Sequence, residues 1–332
     1  MYFVDPLTIV DFTALAVLLA DPGLVLVFHA GDNDITELKR RYRFEFGRVF
    51  DTSIAARFLG VHALGLDALL AQWLGIELPP SRQKDDWSER PLTPAQETYA
   101  AADVEHLFAL KARLTEELAT AGRLAWVEEE CAALAAMDVP DRAVDRDGYL
   151  RVKGARDLPR RGLAMLRELW ELREQLARSA DRPPFKIVGD DVLRKLAEVA
   201  PESLAAMAEV AGCTPRVVGR WGGAFLDAIA RGRSVPASDL PEIPRHPRPP
   251  SDPAAARRAE ALKNWRTGAA EQYGLDPGVL LPNRLIAAVA GAAPRDLAGL
   301  ARVEGVRRWR VATLGADLLA ALAPVDGARG AR

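Results

Sequence analysis

The chain has 332 residues, of which 49% are apolar and 27% charged, and its formal net charge is −2. These values are ordinary for a soluble protein of two or three domains and exclude a polycation, so any contact with nucleic acid must come from local basic patches. The N-terminus has no basic segment, and no apolar run reaches the roughly 18 residues of a membrane span. We therefore expect a cytoplasmic protein without a membrane segment.

The first part of the chain, residues 1–136, alternates short apolar runs with helical patterns, which predicts an α/β domain. A helical pattern over residues 12–19 precedes the apolar run 24–28, which predicts a strand covered on both faces. Another helix is expected to begin near Asp32, and the run RVFDT at 48–52 predicts a second strand.

A clear helix start lies at Thr93, where Thr-Pro-Ala-Gln provides an N-cap, a proline at the first helical position and a capping box with Gln96. The pattern predicts one helix that runs to about Glu117. Tyr99 and Asp103 then lie one turn apart on the same face. Three alanines separate them, so another element or a ligand can approach closely.

The C-terminal half repeats itself. Residues 158–235 and 254–325 show the same succession of helical patterns and turns, a tandem repeat of roughly 75 to 80 residues. The Pro-rich stretch 236–253 is predicted to be a linker, because its prolines forbid regular helix or sheet. Residues 137–157 are expected to connect the α/β domain to the first repeat.

The segment FHAGDND at 28–34 follows the first predicted strand and opens a helix, a place where ligands often bind. Each residue also has a simpler interpretation. Asp32 and Asp34 could be helix caps, His29 a core histidine, Tyr99 a packing residue and Asp103 a solvated helix residue.

Together the two segments resemble the ribonuclease D family. FHAGDND is similar to the second motif of that family, and TPAQETYAAAD on its capped helix is similar to the third. The family belongs to the DEDD superfamily of 3′→5′ exonucleases, in the branch with a tyrosine in the third motif. DWSERPLTPAQ resembles the segment between the motifs, and the two helical repeats resemble tandem HRDC domains.

The resemblance implies a ribonuclease H-like α/β exonuclease domain followed by two all-α HRDC-like domains. It also implies hydrolysis of RNA with two divalent cations, Mg²⁺ or Mn²⁺, and no nucleotide cofactor. By that resemblance Asp34 and Asp103 are catalytic metal ligands, and Tyr99 orients the attacking water. His29 is expected to position the metal ligands without binding the metal itself. The expected substrate is the 3′ end of tRNA precursors or other small structured RNAs.

Basic residues before the tyrosine helix and in the repeats are candidate phosphate contacts, although each could be an ordinary solvated charge. In the second repeat Arg310 belongs to the same basic cluster, and Trp309 could either stack on a base or pack inside the bundle. The candidate nucleic-acid contacts are Arg82, Lys84, Arg90, Lys186, Arg307 and Arg308.

The sequence departs from the family at its first motif. An Asp-x-Glu on an early strand is expected upstream of a segment like YFVDPL, and this chain begins at that segment. Either Met1 is internal to a longer gene, or the domain is degenerate and binds without cutting. In both cases two carboxylates make a poor two-metal site, and the strand 24–28 lacks sheet neighbours.

Two functions therefore stay open. One is an exoribonuclease, impaired as given, and the other is a catalytically inactive nucleic-acid-binding protein. A RecQ-like helicase, which shares HRDC domains, is disfavoured because no G-x-x-x-x-G-K-[ST] phosphate loop is present.

Overall fold

The computed structural model describes residues 1–140, 147–180, 182–243 and 252–327, with side chains up to residue 324. Internal packing divides the chain into two compact units. One unit comprises Met1–Asp141 together with Pro250–Arg332, and the other comprises Arg142–Pro249. Among the described helices, none combines the length and apolarity that a bilayer crossing requires.

The N-terminal part of the first unit is an α/β domain, which confirms the predicted class. Two short parallel strands, β1 (Leu26–Phe28) and β2 (Val49–Asp51), pair with Leu26 opposite Val49 and Phe28 opposite Asp51. Helices surround them: α1 (Thr13–Ala20), α2 (Asp32–Tyr42), α3 (Thr52–Phe58), α4 (Leu66–Leu74), α5 (Pro94–Glu105), α6 (Leu107–Thr120) and α7 (Leu124–Ala135).

The two strands differ in how well they are covered. Strand β2 is buried at every residue, whereas β1 is half-buried and pairs on one side only among the described residues. Apolar side chains of the N-terminal segment are also exposed to solvent, with Tyr2 at 95% and Val10 at 98%. Apolar surface therefore lies open on the N-terminal segment, and β1 has one unpaired edge within the described sheet.

The predicted single helix from Thr93 to Glu117 is broken at His106, which leaves α5 and α6 as separate helices. His106 has non-helical backbone angles, φ −101° and ψ 2°. The break accompanies a change in burial, because α6 buries a leucine stripe whereas Val104 and Phe108 on either side of the break are exposed. The prediction was wrong here because the capping box marks the start of a helix and says nothing about its end.

The second unit is an all-α domain. Two 3₁₀ turns at Gly148–Arg151 and Ala155–Asp157 contribute Tyr149 and Ala155 to its core, and another lies at Ala237–Asp239. Its α-helices are α8 (Arg160–Ser179), α9 (Pro184–Ile187), α10 (Asp190–Val199), α11 (Leu204–Ala208) and α12 (Pro215–Ser234).

Helices α8 and α12 form the centre of this unit and pack closely. A Cβ atom added at Gly232 of α12 would lie 2.4 Å from the Met165 Cα atom of α8. Only glycine allows the two backbones to approach this far. Phe225 of α12 and Leu166 of α8 are both fully buried in the same core.

The C-terminal domain belongs to the first unit and repeats the plan of the second. Along the chain, a long first helix and a long last helix again lie before and after three shorter ones. The helices are α13 (Pro253–Tyr273), α14 (Pro277–Leu280), α15 (Asn283–Ala292), α16 (Leu297–Ala301) and α17 (Arg308–Gly327).

Local details repeat as well. Helices α10 and α15 both end at an alanine in the left-handed region, Ala200 and Ala293, and each is followed by proline. Proline cannot continue a helix and disfavours helical angles in the residue before it, so Ala-Pro ends both helices in the same way.

The C-terminal domain shares one hydrophobic core with the α/β domain. Leu110 and Leu114 of α6 and Leu314 of α17 are all fully buried in this core. Trp309 is 5% exposed and stacks on Trp126 of α7, with ring centroids 4.6 Å apart. Of the two interpretations of Trp309, packing inside the protein is therefore the correct one.

The predicted domain boundaries stay predictions. Residues 141–146 of the predicted connector and 244–251 of the predicted linker lie outside the described residues. Beside these ranges, the described residues 148–157 pack with the helical domain that follows them, and α13 already begins at Pro253.

Candidate active site

A buried carboxylate organises the site. Asp51, at the end of β2, is 1% exposed, and its two oxygens accept hydrogen bonds from four backbone N–H groups. Ser53 and Ile54 donate at 2.9 and 3.0 Å, which caps helix α3. Ala30 and Gly31 donate at 3.3 and 2.7 Å, which ties down the turn between β1 and α2. One side chain therefore fixes the two segments that follow the paired strands.

His29 lies in the fixed turn and is half-buried. Its Nδ1 atom is 2.9 Å from Thr52 Oγ1, and that hydroxyl donates to the Phe28 carbonyl at 3.1 Å. Burial lowers the pKa of His29 below its ordinary value, while the nearby charges of Asp51 and Asp103 act in the opposite direction. The ring is thus held by Thr52 and lies within the influence of two carboxylates.

Asp34 lies in the first turn of α2, where the helix dipole favours negative charge. Its carboxylate is exposed enough to reach a ligand. Partial loss of hydration raises the pKa of Asp34, and repulsion from Asp32 and Asp51 adds to this effect. Such a carboxylate gains stability when a cation approaches it.

Tyr99 and Asp103 meet as the sequence predicted, one turn apart on α5. The Tyr99 ring packs against Trp87, with ring centroids 6.1 Å apart. Burial raises the pKa of Asp103, although the hydrogen bond from Tyr99 and the charge of His29 partly offset this. The capping box at Thr93 is present in full and sets the direction of this helix.

The donor atoms suit a hard divalent cation in kind and fall short of a two-metal site in number. Asp34 and Asp103 offer carboxylate oxygens, the ligands that Mg²⁺ and Mn²⁺ prefer. Within the part of the chain that the structure describes, no three His, Cys, Asp or Glu side chains lie together in a way that could hold a metal ion. We therefore derive no chemical step through two metal ions from these residues.

Most predicted phosphate contacts of the α/β domain are exposed, but one is already engaged. The Arg90 guanidinium donates to both oxygens of Asp5 at 2.8 Å. This pairing holds the pKa of Asp5 at about 2. Arg82 lies 3.5 Å from Asp85, and Lys84 is exposed. Their role in binding RNA stays a prediction.

The predicted contacts of the helical domains differ in the same way. Lys186 is exposed on α9, and the side chain of Arg308 is 93% exposed, with its Nε atom 3.5 Å from Glu129. Arg307 pairs with Glu130 of α7 at 3.3 Å, so its charge is partly used inside the first unit. Arg310, from the same basic cluster, is buried and bonded to Glu130, so it is not part of a basic surface.

Sequence reasoning missed Asp51 as a functional residue. The run RVFDT was recognised as a strand, but its aspartate was not distinguished from an ordinary strand end. An aspartate followed by Thr-Ser at a strand-to-helix junction is a capping signal, which could have drawn attention to it. Its bonds to Ala30 and Gly31, by contrast, cannot be read from local sequence.

The fold and this constellation define a 3′→5′ exonuclease domain joined to two HRDC domains. Residues 1–119 match the 3′-5′ exonuclease family, and residues 162–229 and 255–322 each match the HRDC domain. A crystal structure of a Bifidobacterium adolescentis protein shares the fold, with a TM-score of 0.78 and 23% identity over 94% of this chain and 81% of that one. Ribonuclease D of Escherichia coli, described as an exoribonuclease involved in structured RNA processing, aligns with a TM-score of 0.66 and 24% identity, covering 96% of this chain and 84% of that chain.

Two curated relatives identify the family within this class of exonucleases. Ribonuclease D of Pseudomonas paraeruginosa is 33% identical over 330 residues, which cover 97% of this chain and 84% of the relative. Ribonuclease D of Granulibacter bethesdensis is 33% identical over 93% of this chain and 77% of its own length. The chain belongs to the ribonuclease D family, and its enzyme class is that of the 3′→5′ exoribonucleases, which use divalent metal ions.

Proposed function

We propose that this protein removes nucleotides from the 3′ ends of tRNA precursors or other small structured RNAs, with Mg²⁺ or Mn²⁺ as cofactor. The observation that carries the proposal is the Tyr99–Asp103 pair on one helix, with Asp103 close enough for its charge to act on His29 in the turn that precedes Asp34. Family membership gives the reaction type, and the shared face of Tyr99 and Asp103 on α5 supports the choice of residues.

The roles of the side chains follow from their contacts. A bound divalent cation would supply the positive charge that polarises the scissile phosphate. Asp34 and Asp103 would hold that cation, since loss of hydration makes both carboxylates better ligands than solvated ones. Tyr99 would orient the attacking water, because it lies one turn from Asp103 on α5 and its ring packs against Trp87. His29 would help to position these groups, and its contact with the Thr52 hydroxyl would hold the imidazole in place.

We further propose that the 332 residues cleave slowly by themselves. Two carboxylates leave each cation with more water ligands and leave the geometry of in-line attack under-determined. A strand carrying Asp-x-Glu would supply the ligands that the family resemblance expects.

The test of the enzyme is a time course with 5′-labelled RNA in Mg²⁺, in Mn²⁺ and in EDTA. We expect slow, metal-dependent shortening from the 3′ end that Asp103→Asn abolishes while RNA binding remains. Glu105→Gln is the matched control, an exposed carboxylate two residues away on the same helix. Hydrolysis at a rate within about tenfold of Escherichia coli ribonuclease D would contradict the proposed impairment.

The second candidate is a nucleic-acid-binding protein that does not cut. The observation that favours it is the lack of a three-ligand metal group within the described residues. RNA binding that persists in EDTA, with no shortening of RNA in either metal, would support this function and overturn the first.

A further inference from the structure

A cavity of about 420 Å³ lies between the α/β domain and the C-terminal HRDC domain, within the first unit. The end of α3 and residues 60–64 form one wall, and residues 276–279 at the start of α14 contribute to the other. A volume of this size is in the range of cavities that hold small ligands. A nucleotide could therefore be accommodated.

The two walls are held at a fixed distance. The Arg123 guanidinium donates to the Phe58 carbonyl at the end of α3 and to the Tyr273 carbonyl at the end of α13, at 2.9 and 2.5 Å. Gly60 has φ +79°, and a Cβ atom at this position would lie 2.4 Å from the Gly274 carbonyl oxygen. The cavity is thus built into the packing of the two domains and does not depend on a ligand to form.

The two acidic groups of the lining differ, because Glu130 is paired with arginines whereas Asp276 accepts only a backbone N–H. Glu130 bonds to Arg310, to Arg307 and to the Trp309 indole. Burial alone would raise the pKa of Glu130, but these partners outweigh it and lower the pKa. Asp276 accepts the Gly278 N–H at 2.7 Å and so caps α14.

Two basic groups of the lining have no such partner. Arg57 and His62 are exposed, and the structure shows no hydrogen bond or ion pair to either side chain from any described residue. Arg57 is therefore a cation of this cavity with no carboxylate partner among the described residues. Arginine binds phosphate oxygens in a bidentate manner, which makes a phosphate the natural partner of Arg57.

The cavity is connected to the candidate active site through helix α3. Thr52 at the start of α3 is bonded to the His29 imidazole, and Arg57 and Phe58 at the end of the same helix line the cavity. An RNA strand whose 3′ end lies beside His29 and Asp103 can therefore extend into the cavity with a nucleotide upstream of the scissile bond.

We propose that this cavity binds an upstream nucleotide of the substrate strand, with its phosphate on Arg57. The proposal rests on the proposed function, because it takes a single RNA strand as the ligand. It assigns to the C-terminal HRDC domain one wall of a subsite for the strand. Contacts of this kind are independent of base sequence and weaken with salt.

The test measures binding in EDTA, so that it does not depend on cleavage. Fluorescence anisotropy would compare a labelled trinucleotide with a labelled oligoadenylate of about 10 nucleotides, a length that spans a typical single-strand site. For Arg57→Gln we expect binding of the longer strand to weaken about 3- to 10-fold and the slope of log K against log salt to fall by about 0.7. Binding of the trinucleotide should not change, and Arg57→Lys should recover part of the loss.

Arg113→Gln is the matched control, since this exposed arginine on α6 pairs with Glu117 and does not line the cavity. Equal affinity of Arg57→Gln and wild type for the longer strand would overturn the proposal. So would an equal loss for both lengths, because Arg57 would then act at the terminal nucleotides. Absence of RNA shortening by the wild type in Mg²⁺ would count against the proposed enzyme alone.

Discussion

Replacement of Asp51 tests how the site is held together. Oδ1 accepts from Ala30, Ser53 and Ile54, whereas Oδ2 accepts only from Gly31, at 2.7 Å. In Asp51→Asn, the amide oxygen can keep the three bonds at Oδ1. The amide NH₂ must then face the Gly31 N–H, so two donors meet in a buried place.

The magnitude follows from these contacts. Loss of one charge-assisted hydrogen bond and the unsatisfied Gly31 N–H together should cost about 2–3 kcal/mol of the free energy of unfolding. Asp51→Ala removes the acceptor of all four N–H groups and should cost about 3–5 kcal/mol. The turn that carries His29 should loosen in both variants, so hydrolysis should fall more than RNA binding.

Urea unfolding followed by circular dichroism provides the assay. Asp296→Asn is the control, because Asp296 caps α16 through a single exposed bond to Gly299 and asparagine caps equally well. A loss for Asp51→Asn no larger than that of the control, about 0.5 kcal/mol or less, would refute this account of the turn.

Three further predictions concern titration and packing. The raised pKa of Asp103 means that its ionised form destabilises the fold, so stability falls as pH rises above the ordinary aspartate pKa. In EDTA at neutral pH, Asp103→Asn should therefore raise the melting temperature, and this gain should vanish in acid. Asp191→Asn should lower the melting temperature, since the hydrogen bond from Lys195 lowers the pKa of Asp191. A melting temperature of Asp103→Asn below that of the wild type would contradict the assignment. Trp309→Ala should cost about 3–5 kcal/mol in urea unfolding, because the indole is buried against Trp126, and a cost below about 1 kcal/mol would show that the shared core is not formed. Gly232→Ala should lower the free energy of unfolding by about 1–3 kcal/mol, because the added methyl group would contact the α8 backbone. In the same helix, the methyl group of Gly219→Ala would meet nothing within 4 Å and should raise the free energy of unfolding by about 0.5–1 kcal/mol. Equal effects of the two substitutions would contradict the close packing.

Local sequence was enough to predict the tyrosine helix and the repeats. Thr93 and Gln96 signal a helix start within four residues, and the spacing of Tyr99 and Asp103 then places both on one face. The two helical domains could be found because each helix has its own apolar period and its own stop signal. The break at His106 was not predicted, since it accompanies the burial of the α6 leucines in the core.

Contacts between distant parts of the chain were out of reach. Asp51 bonds to residues about twenty positions earlier, and Arg90 bonds to Asp5, which lies 85 residues earlier. Glu130 meets Arg307 from the far end of the sequence. Charge alone therefore overstated the free basic surface, because a paired arginine and a solvated one look alike in a sequence.

The most direct test of the central claim is divalent-cation binding, measured by Mn²⁺ electron paramagnetic resonance on wild type, Asp34→Asn and Asp103→Asn. The account predicts that each substitution weakens Mn²⁺ binding and removes metal-dependent shortening of RNA to the same extent, while Glu105→Gln leaves both unchanged. Mn²⁺ binding at wild-type strength in a protein that carries both substitutions would contradict it, because the carboxylates at 34 and 103 would then not be the metal ligands.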